Sequence, residues 1–310
     1  MIDDNQLRAF AFFSANVQKL IPEIPYQRHG ELFEEAAHFA RLVADDQLHR
    51  QWLEAEACTL GSPVDCTRPG VIATYHTGPY RLLPMWLVQQ GISLTLVVSA
   101  DVMKSQRETY DTWYRSLGAQ KGDFTMLVAE DPLVIRKMIR ALYDGHFLLV
   151  YVDGNMGSGS AGSRSELIVD FLAHKIRVRT GVADVARLAG VPIYPICALF
   201  GRAQRPRFDV LPHIDPIGPS EDRTAWITAT MQLIYRRLAD VVRNDPMQWE
   251  GWFYVHGDMV NEETVQINEL FRFYLPFRLR EHYFLLHKDS YRAYRLPAQL
   301  YERLRQIVLK

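Results

Sequence analysis

Two short stretches of this chain end in residues that can move a proton. Val-Ile-Ala-Thr-Tyr, residues 71–75, is a β-branched run that delivers His76 and then the turn Thr77-Gly78-Pro79. The apolar run at 147–152 does the same for Asp153, which is followed by Gly154 and Asn155. A neutral imidazole takes a proton from a hydroxyl or amine near physiological pH, and a carboxylate beside it can orient it and stabilise the imidazolium that forms. Open α/β sheets gather ligands and chemistry at the carboxyl ends of their strands. A single histidine at a strand end more often serves as a hydrogen-bonded structural residue, so the elements around it must decide.

Those elements alternate. Residues 71–76, 93–99, 124–129 and 146–152 are short apolar runs of the kind buried on both faces of a sheet, and 80–90, 104–117 and 131–143 carry helical periodicity. Two further strands are expected at 191–200 and 207–211, with Pro192 and Pro195 favouring an edge position or a strand start for the first. Residues 1–60 read as helical, with Phe10, Phe13, Val17 and Leu20 on one face of the first helix. The expected fold is α/β: a central mixed sheet flanked by helices, a helical N-terminal segment and a helical, basic C-terminal segment. No linker or repeat divides the chain, which reads as one domain over 1–310, its chemistry within 70–256 and a basic aromatic part over 257–310.

Composition excludes several classes. A formal net charge of −1 gives no global attraction to nucleic acid. Cys58, Cys66 and Cys197 lack metal-ligand spacing and suit a reducing compartment, and the acidic start lacks the basic region of a signal peptide. No apolar run reaches the roughly 18–20 residues that span a bilayer. A cytoplasmic protein is expected, peripheral at most on the inner face of the membrane. There is no Gly-x-Ser-x-Gly elbow, no Walker loop and no dinucleotide-binding glycine fingerprint. The histidines are scattered, so neither a metal nor a resident cofactor is expected. The last forty residues interleave aromatics with Arg278, Arg280, Arg292 and Arg295, which reads either as a solvated basic face or as a docking surface for something acidic.

Three further segments complete a pattern. Phe171 through Gly181 leads into Thr180-Gly181, a helix start whose free N–H groups suit an anion or polar headgroup. Gly190 through Pro195 opens a strand, and Pro246-Met-Gln-Trp-Glu-Gly-Trp closes the region. Together with Tyr75-His76 and Val152-Asp153-Gly154, and in this order, these segments resemble the bacterial late lipid A acyltransferases, within the wider lysophospholipid and glycerolipid acyltransferase superfamily, over roughly residues 70–256.

The resemblance implies acyl transfer from a thioester to a hydroxyl or amine, with His76 as general base. The donor would be linked to phosphopantetheine, on an acyl carrier protein in preference to coenzyme A, and the basic C-terminal region would dock the carrier. Peripheral membrane contact is the other partner class implied. The tetrahedral oxyanion would be met by backbone N–H groups near Thr77-Gly78 or Gly154. Thr77, Gly78, Tyr80, Arg81, Gly154, Asn155, Arg179, Thr180, Gly181 and Trp249 are the positions expected to meet substrate. Two positions depart from the family pattern. Where the family places Asp or Glu after the histidine, this chain has Arg81, and Ser99-Ala100 stands where an arginine usually follows the next strand. Both fall in or beside the implied acceptor site, so the acceptor is expected to differ from lipid A. Asp153 is the first substitute for the missing carboxylate, and Arg81 is read as a clamp for a phosphate or carboxylate. An amine acceptor would demand less of the base than a hydroxyl, which brings aminoacyl or amide-forming transfer into view. The alternative is a catalytically degenerate member that binds a carrier or lipid as a scaffold.

Overall fold

The structure is a computed structural model, and it describes residues 4–55, 59–60, 68–118, 121–154, 166–217, 222–260 and 273–308. Its centre is a seven-stranded sheet of β1 (Thr59–Leu60), β2 (Val71–Thr74), β3 (Leu94–Val98), β4 (Phe124–Val128), β5 (Phe147–Tyr151), β8 (Ile193–Phe200) and β9 (Pro206–Val210). In space they run β1-β9-β8-β2-β5-β3-β4. Strands β8, β2, β5, β3 and β4 are mutually parallel, and β9 turns back antiparallel on β8. From β2 the chain moves outward through β3 and β4, returns to insert β5 beside β2, and later adds β8 on the other side. The carboxyl ends of β2 and β5 therefore flank the point where strand order reverses, which is where open α/β sheets leave a crevice.

Alternate residues of each strand face opposite layers. Val71 and Ala73 pack under α1 (Asp4–Leu20), α2 (His29–Ala44), α6 (Val134–Tyr143), α7 (Gly181–Ala189) and α8 (Arg223–Asn244). Ile72 and Leu149 pack against α3 (Asp46–Glu54), α4 (Leu83–Gln89) and α5 (Ala100–Ser116). The N-terminal helix belongs to the core: Phe13, Val17 and Leu20 are buried. Among the described residues no helix is long and apolar enough to cross a membrane.

At three places the structure departs from the sequence expectations or adds to them. Strand β8 lies inside the sheet and accommodates Pro195 just ahead of its pairing with β9. That pairing begins at Ile196, and the Pro195 carbonyl accepts from Leu211 N at 2.9 Å. The segment after the second catalytic-type turn is a hairpin, β6 (Glu166–Phe171) and β7 (His174–Arg179), reversed at Leu172 with φ +55°. Finally, the basic C-terminal part contains a sheet where only helix was expected. Among its described residues, strands β10 (Tyr274–Leu279), β11 (His282–His287) and β12 (Ala293–Leu296) form an antiparallel meander, and helix α9 (Ala298–Val308) follows it. Aromatic and aliphatic β-formers favour extended chain there, and Leu275, Phe277 and Leu286 bury a sheet face together with Ala11 and Ala15 of α1.

Candidate active site

Strand pairing sets the site. The β2–β5 ladder runs from Val71↔Leu148 to Thr74↔Tyr151, and Val152 N then donates to the Thr74 carbonyl at 2.9 Å. Helix α8 holds the two strand ends just short of their functional residues. The Tyr75 hydroxyl donates to the Ile234 carbonyl at 2.8 Å, and the Tyr235 hydroxyl donates to the Val152 carbonyl at 2.6 Å. The next residue on each strand is His76 and Asp153.

Their side chains meet. Nδ1 of His76 lies 2.9 Å from Oδ1 of Asp153, and the His76 backbone N–H donates to both carboxylate oxygens at 3.0 and 3.1 Å. Trp249 Nε1 donates to Oδ2 at 2.8 Å. The carboxylate is almost fully buried, so three donors replace the water it has lost. With Nδ1–H directed at the carboxylate, the imidazole lone pair sits on Nε2, which has no hydrogen-bond partner among the described residues. Burial opposes charge on His76, but the Asp153 charge and hydrogen bond, joined by Glu250, outweigh it and raise the imidazole above its ordinary 6.5. Tyr151 stacks on the ring and Tyr80 meets it edge-on, each with centroids 4.7 Å away.

The Pro246–Trp252 segment is the clamp that completes this arrangement. Gln248 grips the end of β8 twice, accepting from Phe200 N at 2.6 Å and donating to Phe200 O at 3.1 Å. Its carbonyl accepts from Gly78 N at 2.8 Å, and Glu250 N donates to the His76 carbonyl at 2.9 Å. Gly78 is required twice over. Its φ is +49°, and a Cβ there would meet Leu199 backbone at 2.6 Å. At Gly154 a Cβ would stand 3.3 Å from the imidazole Cε1.

The expected substrate residues divide. Tyr80, Gly154 and Trp249 join the pair directly. Thr77 is fully buried beside Trp249. Arg179 lines a small cavity with Asp153, Gly154, Trp249, Tyr254 and Asp258, whose carboxyl is pushed up to about 6 by burial against the opposing pull of Arg179 and Arg177. The Gly78 amide is already taken by Gln248, which corrects its expected place as an oxyanion donor and leaves the amides of Thr77 and Gly154. Thr180 and Gly181 do open a helix, but the Thr180 hydroxyl donates to Asp184 at 2.7 Å, so the first turn already holds a carboxylate. Arg81 turns towards α3. It pairs with Asp46 at 2.9 Å, donates to the Val43 carbonyl at 3.2 Å and lies over Trp113, so its fork is engaged inside the protein rather than open to a ligand. Asn155 lies outside the described residues. Tyr151, Glu250 and Tyr254 are absent from the expected set: Tyr151 and Glu250 lie in segments the sequence singles out, but nothing there marks these side chains as part of a site. Their place follows only from which strands become neighbours.

A sheet whose switch point carries a buried carboxylate–histidine pair is an α/β frame that can hold a general base in its crevice. Residues 14–256 match the model of the bacterial lipid A biosynthesis acyltransferase family, and the chain belongs to that family. No curated protein matches it. Among the described residues no group of His, Cys, Asp and Glu could hold a metal ion.

Proposed function

We propose that the chain transfers an acyl group from a phosphopantetheine-linked thioester to a hydroxyl or amine, with Nε2 of His76 as general base and Asp153 as the carboxylate that orients it. The observation that carries this reading is the 2.9 Å contact between His76 Nδ1 and Asp153. A carboxylate from the neighbouring strand stands in for the one lacking at Arg81, so that substitution removes no partner the base requires. A mainly apolar groove of about 460 Å³ supports the transfer of an aliphatic acyl group over an aminoacyl one. It lies between α6 and α7 on the sheet face, lined by Val97, Met138, Leu148, Val150 and Val185, and it reaches Gly154 beside the imidazole. Burial of each methylene there favours binding by about 0.8 kcal/mol.

A carrier protein remains the proposed donor. Of the C-terminal cations, Arg278 and Arg305 pair with Asp4, which ties the meander to α1. Arg280, Arg292 and Arg295 are exposed to solvent and are the positions proposed to meet an acidic carrier. The test is acyl transfer from aliphatic acyl-pantetheine to hydroxylamine, followed by thiol release. His76→Ala is expected to fold and to lose about 10²–10⁴-fold in turnover. Wild-type turnover in that variant would refute the assignment.

A further inference from the structure

Five aromatic side chains that stack on His76, bond to Asp153 or line the small cavity beside them carry a polar hydrogen, and three of these hydrogens are committed. Trp249 donates to Asp153 at 2.8 Å, Tyr235 to the Val152 carbonyl at 2.6 Å and Tyr151 to the Tyr80 carbonyl at 2.8 Å. The Tyr80 hydroxyl stays protonated, raised above its ordinary value by burial and then by the nearby Glu250 charge. The fifth is Tyr254. Its hydroxyl oxygen is buried and has no hydrogen-bond partner among the described residues, although nearly every buried polar group in a folded protein has one. Tyr254 lines the same small cavity as Asp153, Gly154 and Trp249, and its ring meets the imidazole edge-on at 6.2 Å. Thr77 Oγ1 also lacks a partner among the described residues, but Thr77 does not line the small cavity that Tyr254 shares with Asp153.

We infer that the Tyr254 hydroxyl donates a hydrogen bond to the reacting carbonyl oxygen as it becomes an oxyanion. This rests on the acyl-transfer reading of the site. The acceptor oxygen or nitrogen attacks the thioester carbonyl carbon while His76 Nε2 takes its proton. The C=O π pair moves onto oxygen, where Tyr254 O–H donates without giving up its proton. When the C=O re-forms, the C–S bond breaks, and the thiolate takes the proton back from the His76 imidazolium. Burial, reinforced by the Asp153 and Glu250 charges, holds the phenol well above its ordinary 10, so it stays protonated throughout. An unpartnered donor suits this role because it breaks no existing bond when the charge appears.

The experiment compares wild type and Tyr254→Phe in thiol release from aliphatic acyl-pantetheine with hydroxylamine as acceptor. The expected result is a loss of about 10²–10³-fold in kcat with KM little changed, since the bond strengthens only in the transition state. An unchanged kcat, or a change confined to KM, overturns the inference and leaves the hydroxyl as a partner for water or ground-state substrate. Circular dichroism and thermal midpoint establish that the variant is folded. Should it not be, Tyr254→His, which keeps a ring and an N–H donor, must exceed Tyr254→Leu in kcat, and equality overturns the inference. Wild-type protein that releases no thiol refutes acyl transfer itself, and this inference with it. An active wild type matched by Tyr254→Phe refutes only the role of Tyr254.

Discussion

Trp249 and His76 share one carboxylate: the indole N–H takes Oδ2 of Asp153 and the imidazole N–H takes Oδ1. The two donors sit on segments far apart in sequence, and each holds Asp153 for the other. Trp249→Phe keeps most of the packing but leaves Oδ2 of the buried carboxylate with only the 3.1 Å bond from the His76 backbone N–H. A stability loss of about 1–3 kcal/mol is expected by chemical denaturation, with turnover falling further than KM rises.

Asp153→Asn tests orientation and charge together. A base must be neutral, so wild-type activity should climb as pH rises through the imidazole value, which stands above 6.5. Removing the charge should move that limb to lower pH and reduce the plateau by about 10²–10⁴-fold, measured as kcat against pH. The sign for stability is the reverse of that for activity. A raised imidazole value adds stability that is fully present below 6.5 and disappears as pH rises through the folded value. Asp153→Asn should flatten that slope in denaturation curves taken across the same range.

Arg81→Glu restores the acidic residue of the family pattern at the sequence level only. The guanidinium now faces Asp46 and the Val43 carbonyl, and Glu there would meet Asp46 as a like charge. The expected outcome is about 1–3 kcal/mol of destabilisation and no gain in turnover toward a hydroxyl acceptor. A gain would mean that the side chain can reach the imidazole after all.

Filling the groove should alter chain length before it alters chemistry. Met138→Trp on the α6 wall is expected to lower kcat/KM for long aliphatic thioesters by about tenfold or more while sparing short ones, measured across a donor series. A uniform loss at every length would place the acyl chain elsewhere.

The sheet was legible because its central strands are buried on both faces and read as unbroken apolar runs. The positions of His76 and Asp153 followed from the turn residues behind those runs. The meander was misjudged because its Arg and aromatic residues fit either period until the packing of Leu275 and Phe277 on α1 selects one. Arg81 looked like a ligand clamp because sequence shows a cation but not its partner. Asp46 lies thirty-five positions earlier, and only the docking of α3 brings the two together. Tyr254 had no local signature at all.

The reacting pair is stitched from strands whose contributing residues lie 77 positions apart, and its third member is 96 positions beyond Asp153. Contacts of such span close late when a chain folds, after shorter loops have formed. No fragment ending before Trp249 contains all three of these residues, so a chain emerging from the ribosome cannot assemble the His76–Asp153 pair with its indole donor until nearly all of the family-matched region is out.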